Sequence, residues 1–208
     1  MDVVAKEALQ LLNKMRTVTC ATVRNGAPAA RIISLMSVDE TGIYFITARG
    51  KGFYQQLEDN QNVALCGLNK QAVTVRIEGK VKRRPEKELL DKCFIEQSKM
   101  NNIYPGQTRY ILEVFQVYCG VGEIFDLSTE RPVRSRFSFG DAIVNPSGSL
   151  INDRCTGCGD CLAVCPVDAI SSVGGYQIDG SRCLECANCV EICSYNAIDQ
   201  AKGLLFNK

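Results

Sequence analysis

The chain has 208 residues, of which 46% are hydrophobic and 23% charged, and it is longer than one small domain needs. Its 24 basic and 23 acidic residues give a net charge of +1, which excludes a basic surface spread over the whole chain for nucleic acid. Histidine is absent, which excludes histidine-ligated zinc, Rieske clusters and Ser-His or Cys-His catalytic pairs.

The start of the chain, MDVVAKEALQ, predicts a helix and no signal peptide. No apolar run approaches the ~20 residues that cross a bilayer, and we expect a cytoplasmic protein with no membrane or nucleic-acid partner. An apolar stripe at helical spacing runs through Val4, Ala8, Leu11, Leu12 and Met15.

After Arg16 the residues become β-branched and predict antiparallel strands. Asn25-Gly26 lies between two such runs and predicts a tight hairpin turn, because both residues tolerate a positive φ. The expected strands cover 18–23, 29–38, 43–47, 63–68, 72–81 and 110–118, with helices at 52–59 and after Pro85. Six antiparallel strands with few exposed edges favour a small closed barrel.

The C-terminal part contains an internal cysteine repeat. Eight of the 12 cysteines fall between Cys155 and Cys193, in two C-x2-C-x2-C-x3-C units offset by 28 residues. This run resembles that of the two-[4Fe–4S] bacterial ferredoxins over residues 150–200, in which the fourth cysteine ligates the other cluster. Pro166 follows the first unit as in the pattern, whereas Ser194 follows the second.

The resemblance implies two cluster ligand sets that share the fourth cysteines crosswise. The first set is Cys155, Cys158, Cys161 and Cys193, and the second is Cys183, Cys186, Cys189 and Cys165. Zinc ribbons need only C-x2-C pairs, and disulfides between cysteines three apart are poorly placed, so that both alternatives fit less well. A purely structural role for the clusters stays open, since so short a segment has little core of its own.

Residues 28–80 carry a second set of motifs. They are a strand with an Arg followed by apolar residues, a strand ending in Thr with a Lys just beyond, a short helix with a downstream Asn, and an I-E-G strand. Together they resemble the pyridoxamine 5′-phosphate oxidase-like split barrel over residues 5–125. The resemblance implies an α+β protein in which an antiparallel FMN-binding split β-barrel precedes a small ferredoxin-like two-[4Fe–4S] domain.

In that family FMN lies between two subunits, which implies a homodimer. Arg31 would pair with the FMN phosphate, and Lys51 at the start of the next helix would complete the phosphate site. The other implied contacts with the ring, the ribityl chain or the phosphate are Ile32, Ile33, Ser34, Ile46, Thr47, Ala48, Gly52 and Thr74. Alternatively, Arg31, Arg49 and Lys51 are solvated charges at the barrel rim.

Two departures from the family argue against oxidation of pyridoxamine phosphate. Met36 occupies the position of the family's substrate-phosphate lysine, and the family's substrate histidine cannot exist in this chain. Related barrels hold deazaflavin or haem, and deazaflavin or pyridoxal phosphate remains an alternative ligand to FMN.

The charge is divided unevenly along the chain. Residues 151–208 carry a net charge of −3 and residues 1–150 carry +4, so that the acidic part favours docking on the basic one. We predict a split-barrel domain at 1–140, a linker at 141–150 and an iron–sulfur domain at 151–208.

Arg131, Arg134 and Arg136 precede the linker, and they contact either a flavin phosphate across the dimer or the acidic part. The remaining cysteines are expected to be small core residues: Cys20, Cys66, Cys93 and Cys119.

These observations predict an FMN-dependent iron–sulfur oxidoreductase of the flavin reductase or nitroreductase kind. Electrons would pass singly between the clusters and a flavin that reduces a small acceptor. No residue stands out as a general acid, and Tyr44, Tyr54 or a water would serve. Oxygen-sensitive clusters indicate an anaerobic host. The alternative is a non-catalytic electron carrier or redox sensor that reduces a partner protein.

Overall fold

The computed structural model of the protein describes residues 2–204 and the backbone of residues 206–207. Helix α1 spans Val3–Met15 and begins at Asp2, whose side chain accepts a hydrogen bond of 2.6 Å from the amide of Ala5. It ends at Arg16, which adopts a left-handed φ of 61°. Its buried face packs against the apolar core formed by the strands, as the apolar stripe predicts.

The following strands and helix form most of the first domain. They are β1 (Thr17–Arg24), β2 (Ala27–Asp39), β3 (Gly42–Ala48), α2 (Gly52–Asp59), β4 (Asn62–Leu68), β5 (Val73–Arg84), β6 (Leu112–Asp126) and β7 (Val133–Phe139). The strand order is β3-β2-β1-β4-β5-β6-β7, and an additional β3–β6 pairing closes strands β1–β6 into a six-stranded antiparallel barrel. The predicted barrel is therefore confirmed.

The hairpin between β1 and β2 follows the predicted turn. Asn25 and Gly26 have φ values of 52° and 80°, and Arg24 pairs directly with Ala27. A two-residue loop with both φ values positive matches the right-handed twist of the strands.

Strand β6 is longer than the sequence pattern indicates. Its first half, up to Val117, pairs with β3, and the part from Gly120 onward pairs with β7, while β5 accompanies it along most of its length. The expected end at residue 118 was wrong, and β7 was not predicted. Gly122 allows the continuation, because a Cβ at this position would lie 2.3 Å from the Phe137 ring.

A second small core lies outside the barrel. Helix α3 (Lys87–Glu96) is followed by two 3₁₀ segments, Ser98–Asn102 and Gly106–Ile111. The helix packs Leu90, Cys93 and Phe94 against Met36 and Tyr44.

The C-terminal part consists of short elements arranged around the cysteines. They are β8 (Ile143–Val144), β9 (Leu150–Ile151), α4 (Asp160–Ala163), β10 (Ile170–Ser171), β11 (Gln177–Ile178), α5 (Asn188–Ile192), β12 (Ile198–Asp199) and β13 (Phe206–Asn207). Strand β9 pairs with β12, β10 with β11, and β8 with β13. In the described residues no helix is both long and apolar enough to cross a membrane.

Candidate functional site

The eight repeat cysteines line two separate cavities. The first cavity, with about 330 Å³ of empty space, is lined by the four cysteines of the first predicted set: Cys155, Cys158, Cys161 and Cys193. The second, with about 350 Å³, is lined by the second set: Cys165, Cys183, Cys186 and Cys189. The structure therefore brings each triplet together with the fourth cysteine of the other unit.

The two cysteine loops have matching backbones. We call residues 155–161 the first cysteine loop and residues 183–189 the second. Gly157 and Gly159 have φ values of 77° and 91°, and the equivalent Glu185 and Ala187 have 56° and 66°. Helices α4 and α5 then begin at equivalent positions, Asp160 and Asn188. The internal repeat seen in the sequence is thus a repeat of conformation.

Backbone amides point at the cysteine sulfurs. The amide of Ala169 donates to the sulfur of Cys165 over 3.2 Å, and the equivalent amide of Ala197 donates to Cys193 over 3.3 Å. Such hydrogen bonds stabilise a thiolate and influence the reduction potential of a cluster that it ligates.

The thiols of each cavity differ in their burial. Burial raises the pKa of Cys161 and of Cys189, so that in the absence of a ligand these thiols hold their protons more firmly. Cys155, Cys158 and Cys186 are exposed. The thiols surround each cavity instead of meeting at a point, and within the described residues no group of three or more His, Cys, Asp or Glu is arranged to hold a single metal ion. Four sulfur donors around a small space fit a [4Fe–4S] cluster, which takes one thiolate per iron.

Arg31 lies on β2 against helix α2. Its guanidinium donates to the hydroxyl of Thr22 (2.6 Å) and to the side-chain oxygen of Gln56 (2.7 Å), and it stacks 4.5 Å from the centre of the Phe53 ring. It also donates to the carbonyl of Cys20. Because these partners are neutral, they leave its positive charge available to an anion.

Thr47, near the end of β3, carries an unsatisfied hydroxyl. The residue is 3% exposed, and its Oγ1 atom has no hydrogen-bond partner within the described residues. A buried hydroxyl without a partner is costly, and a ligand that hydrogen-bonds to it removes that cost. Its neighbours Ile46 and Ala48 are half-buried.

The other implied flavin residues fall into two groups. Ile32 and Ser34 are exposed on β2, and Ile33 faces the core from the same strand. Lys51 and Gly52 are exposed at the N-terminal end of α2. Thr74 lies apart from them on β5, where its hydroxyl donates to the carbonyl of Phe125 over 3.2 Å.

The charged residues at the barrel rim differ in the charge of their partners. Arg49 pairs with Glu113 at 2.8 Å and is exposed, which fits the solvated alternative, whereas the partners of Arg31 are neutral.

A buried charge network joins β6 and β7 to the second cysteine loop. Arg134 and Arg136, which we call the arginine pair, bind the carboxylate of Glu185 at 3.0 and 2.6 Å. The fully buried Glu123 lies behind them and contacts Arg76 as well. The arginines therefore contact the acidic part. Glu123 and Glu185 were not singled out from sequence, although alternating polar and apolar residues in VRSRFSF were a signal for β7.

The cysteines outside the repeat differ in burial. Cys20 and Cys93 are buried as expected, but Cys66 is exposed on β4 and Cys119 is half-buried. Cys66 borders a cleft of about 780 Å³ that also touches Arg76, Arg134 and Glu185. The expectation of a core position was wrong for Cys66, because its side chain is on the outer face of the barrel.

Comparisons with known proteins give two family matches. Residues 4–116 match the family model of pyridoxamine 5′-phosphate oxidase, and residues 154–197 match that of the 4Fe–4S dicluster domain. Over 93 residues the chain is 40% identical to a pyridoxine/pyridoxamine 5′-phosphate oxidase of Burkholderia thailandensis and 38% identical to one of Burkholderia mallei. Each match covers 42% of this chain and 42% of the relative.

Solved structures resemble the fold of the first domain. A NimC/NimA family protein of Clostridium acetobutylicum aligns with a TM-score of 0.56 at 21% identity, over 65% of this chain and 92% of the other. A protein related to general stress protein 26 from the same organism aligns with a TM-score of 0.50 at 13% identity, over 65% and 93%. At these identities the likeness concerns the fold alone.

Proposed function

Because the chain belongs to the pyridoxamine 5′-phosphate oxidase family through residues 4–116 and matches a 4Fe–4S dicluster domain at residues 154–197, we propose that it is a ferredoxin-coupled FMN oxidoreductase. The observation that carries the proposal is the crosswise lining of two cavities by four cysteines each, on a chain whose barrel belongs to this family. Clusters exchange single electrons and a flavin exchanges one or two, so that together they supply the reduction of a small acceptor.

The cluster ligands we propose are the crosswise sets. The first cavity uses Cys155, Cys158, Cys161 and Cys193, and the second uses Cys183, Cys186, Cys189 and Cys165. The amides of Ala169 and Ala197 then stabilise the charge on the two crossing thiolates.

On the barrel, Arg31 and Thr47 are the best supported flavin-binding residues. Arg31 presents a charge held by neutral partners, and Thr47 presents a buried hydroxyl for which the described residues supply no hydrogen-bond partner. Lys51 at the start of α2 adds a second cation, and helix amides there favour an anion. We propose that these residues hold the FMN phosphate and ring, with Ile32, Ile33, Ser34, Ile46, Ala48, Gly52 and Thr74 as further contacts.

The acceptor is proposed to differ from the substrate of the Burkholderia relatives. Met36 occupies the position of the family's lysine, and its uncharged side chain is buried in the second core against α3, so that this position offers no cation to a substrate phosphate. The matched segment covers 42% of the length of those relatives. A nitroaromatic, quinone or enone is the acceptor class that we would test.

The test is anaerobic purification followed by quantitation of iron, sulfide and released flavin, and then acceptor screening with dithionite as donor. About eight irons and one FMN per chain are expected, together with turnover of an acceptor. Eight irons without flavin would contradict the flavin part of the proposal. Rapid reduction of both groups without acceptor turnover would favour the carrier or sensor function. Light scattering tests the proposed homodimer.

A further inference from the structure

The two cysteine loops differ at two positions of positive φ, since Gly157 and Gly159 of the first loop correspond to Glu185 and Ala187 of the second. Gly157 of the first loop takes its left-handed φ without strain, since glycine has no Cβ. The equivalent residue of the second loop, Glu185, takes a φ of 56°, which disfavours a side chain. Strain that persists at a functional loop must be compensated by surrounding contacts.

The compensating contacts of Glu185 come from outside the loop. Its carboxylate accepts hydrogen bonds from Arg136 (2.6 Å), from Arg134 (3.0 Å) and from the amide of Gly148 (3.0 Å). The side chains of Glu185, Arg134 and Arg136 are 10%, 11% and 4% exposed, so that water screens these contacts little. The second loop is therefore attached to β7 by buried ion pairs.

The first loop is covered from within its own domain. The hydroxyl of Tyr176 donates to the carbonyl of Gly157 over 3.1 Å, and the ring borders the first cavity. Cys155 and Cys158 are exposed there. The two loops thus have different neighbours: the first contacts Tyr176 of its own domain, and the second contacts the barrel arginines through Glu185.

The network behind Glu185 carries more positive than negative charge. Arg76 and the arginine pair face two carboxylates, those of Glu123 and Glu185. In the described part of the chain, the buried Nε atoms of Arg134 and Arg136 have no hydrogen-bond partner. The arginine pair lies beside a loop whose cluster becomes more negative when it is reduced, whereas Arg76 is 53% exposed and contacts Glu123 instead of the loop.

We propose that the arginine pair and Glu185 form a clamp that holds the second cysteine loop on the barrel and sets the reduction potential of its cluster apart from that of the first. The cluster of Cys165, Cys183, Cys186 and Cys189 is then the barrel-side station, and the cluster of the first loop faces external donors. This inference rests on the cluster part of the proposed function and not on the identity of the barrel ligand.

Redox titration of the full-length protein, followed by EPR, tests the clamp. Glu185→Gln removes a negative charge beside the second loop, and we expect the midpoint potential of the second cluster to rise. Arg136→Gln removes a positive charge, and the potential of the same cluster should fall. Opposite shifts of one cluster identify an electrostatic effect, because mere loosening of the domain contact would not reverse its sign. A Cys186→Ser variant identifies the EPR signal of the second cluster.

Arg131→Gln is the matched control. Its ion pair with Asp168 (3.1 Å) also joins the two domains, but the side chains are 59% and 68% exposed, so that neither potential should move. Unchanged potentials in both clamp variants, equal shifts of both clusters, or shifts of the same sign would overturn the proposal. Arg136 lies outside the cysteine loop, so that its variant remains informative if Glu185→Gln fails to assemble its cluster. Flavin loss alone contradicts the proposed function and leaves this test intact.

Discussion

Glu123 of the barrel and Glu185 of the second cysteine loop share one guanidinium. The Nη1 atom of Arg134 lies 3.3 Å from Oε2 of Glu123 and 3.0 Å from Oε2 of Glu185. One side chain of β7 thereby joins a residue near the end of β6 to a residue between two cluster cysteines. Because both carboxylates are nearly or fully buried, the loss of either leaves the facing arginines with an uncompensated positive charge.

We first predict that Glu123→Gln destabilises the fold. The residue is 0% exposed and contacts three arginines, and removal of one partner from a buried ion pair costs about 3–5 kcal/mol. Urea denaturation measures the unfolding free energy. Glu96→Gln is the control, because its pair with Lys92 is solvent-exposed and contributes less than about 1 kcal/mol. Equal effects of the two substitutions would refute the role of burial.

Thr47→Val should separate stability from ligand binding. The hydroxyl lacks a partner in the described residues, so that the flavin-free protein should keep its unfolding free energy or gain about 1 kcal/mol. Flavin affinity should fall roughly 3–10-fold, the value of one hydrogen bond. Fluorescence titration measures the affinity.

The matched control is Thr22→Val. Thr22 is equally buried, but its hydroxyl bonds Arg31 and Gln56, so that this variant should lose stability. Destabilisation by Thr47→Val with unchanged flavin affinity would remove Thr47 from the proposed site.

Arg31→Lys should weaken FMN binding about 10–100-fold and leave riboflavin binding nearly unchanged, because the forked guanidinium is assigned to the phosphate. Calorimetry with both ligands gives the comparison. Arg49→Lys serves as the control, since Arg49 is already paired with Glu113. A parallel loss of FMN and riboflavin affinity would place Arg31 elsewhere than at a phosphate.

Exchange of one crossing cysteine should affect the cluster of the other loop. Cys193→Ser alters the first cavity, and Cys165→Ser the second, although each residue follows the other triplet in sequence. We expect each variant to retain one intact cluster, with iron content between about four and eight per chain. EPR of the two variants should show complementary losses. Cys119→Ser, outside both cavities, should keep all the iron; loss of the cluster of the preceding triplet would contradict crossing.

Two buried thiols predict a loss of stability at high pH. Burial raises the pKa of Cys20 and of Cys93 from 9.0 to about 11. Below pH 9 the thiols are protonated in both states; between pH 9 and 11 they ionise only on unfolding, which favours the unfolded chain by up to about 2–3 kcal/mol per thiol. Unfolding free energies at pH 8 and 10.5 should differ less in a Cys20→Ala/Cys93→Ala variant. Cys66→Ala, at an exposed position, should leave the pH dependence unaltered.

Local sequence patterns predict those parts of the fold in which the residues concerned are compatible with few other structures. Asn25-Gly26 predicts its hairpin because few other dipeptides accept two positive φ values. The spacing of the cysteine repeat predicts that each triplet lies in one tight loop, and the resemblance to two-[4Fe–4S] ferredoxins implies which fourth cysteine lines the same cavity.

Contacts between residues that are far apart in the sequence could not be predicted from local patterns. The expected strand ended at residue 118, whereas β6 continues through Gly120 and Gly122, which permit close approach to β5 and to the Phe137 ring. Arg134 and Arg136 were recognised as contacts for either an anion or the acidic part, but only the register of β7 against β6 brings them to Glu123 and Glu185. Nor does sequence reveal that the hydroxyl of Thr47 has no partner among the described residues, because that depends on every neighbour of the side chain.

The position of β7 in the chain has a consequence for biosynthesis. All the barrel strands and the arginine pair precede Cys155 in the sequence. They therefore leave the ribosome before the first cluster ligand. Domains fold as units during synthesis, the N-terminal one first. The barrel can thus fold before the iron–sulfur segment is complete, and the arginine pair is then in place for the carboxylate of Glu185.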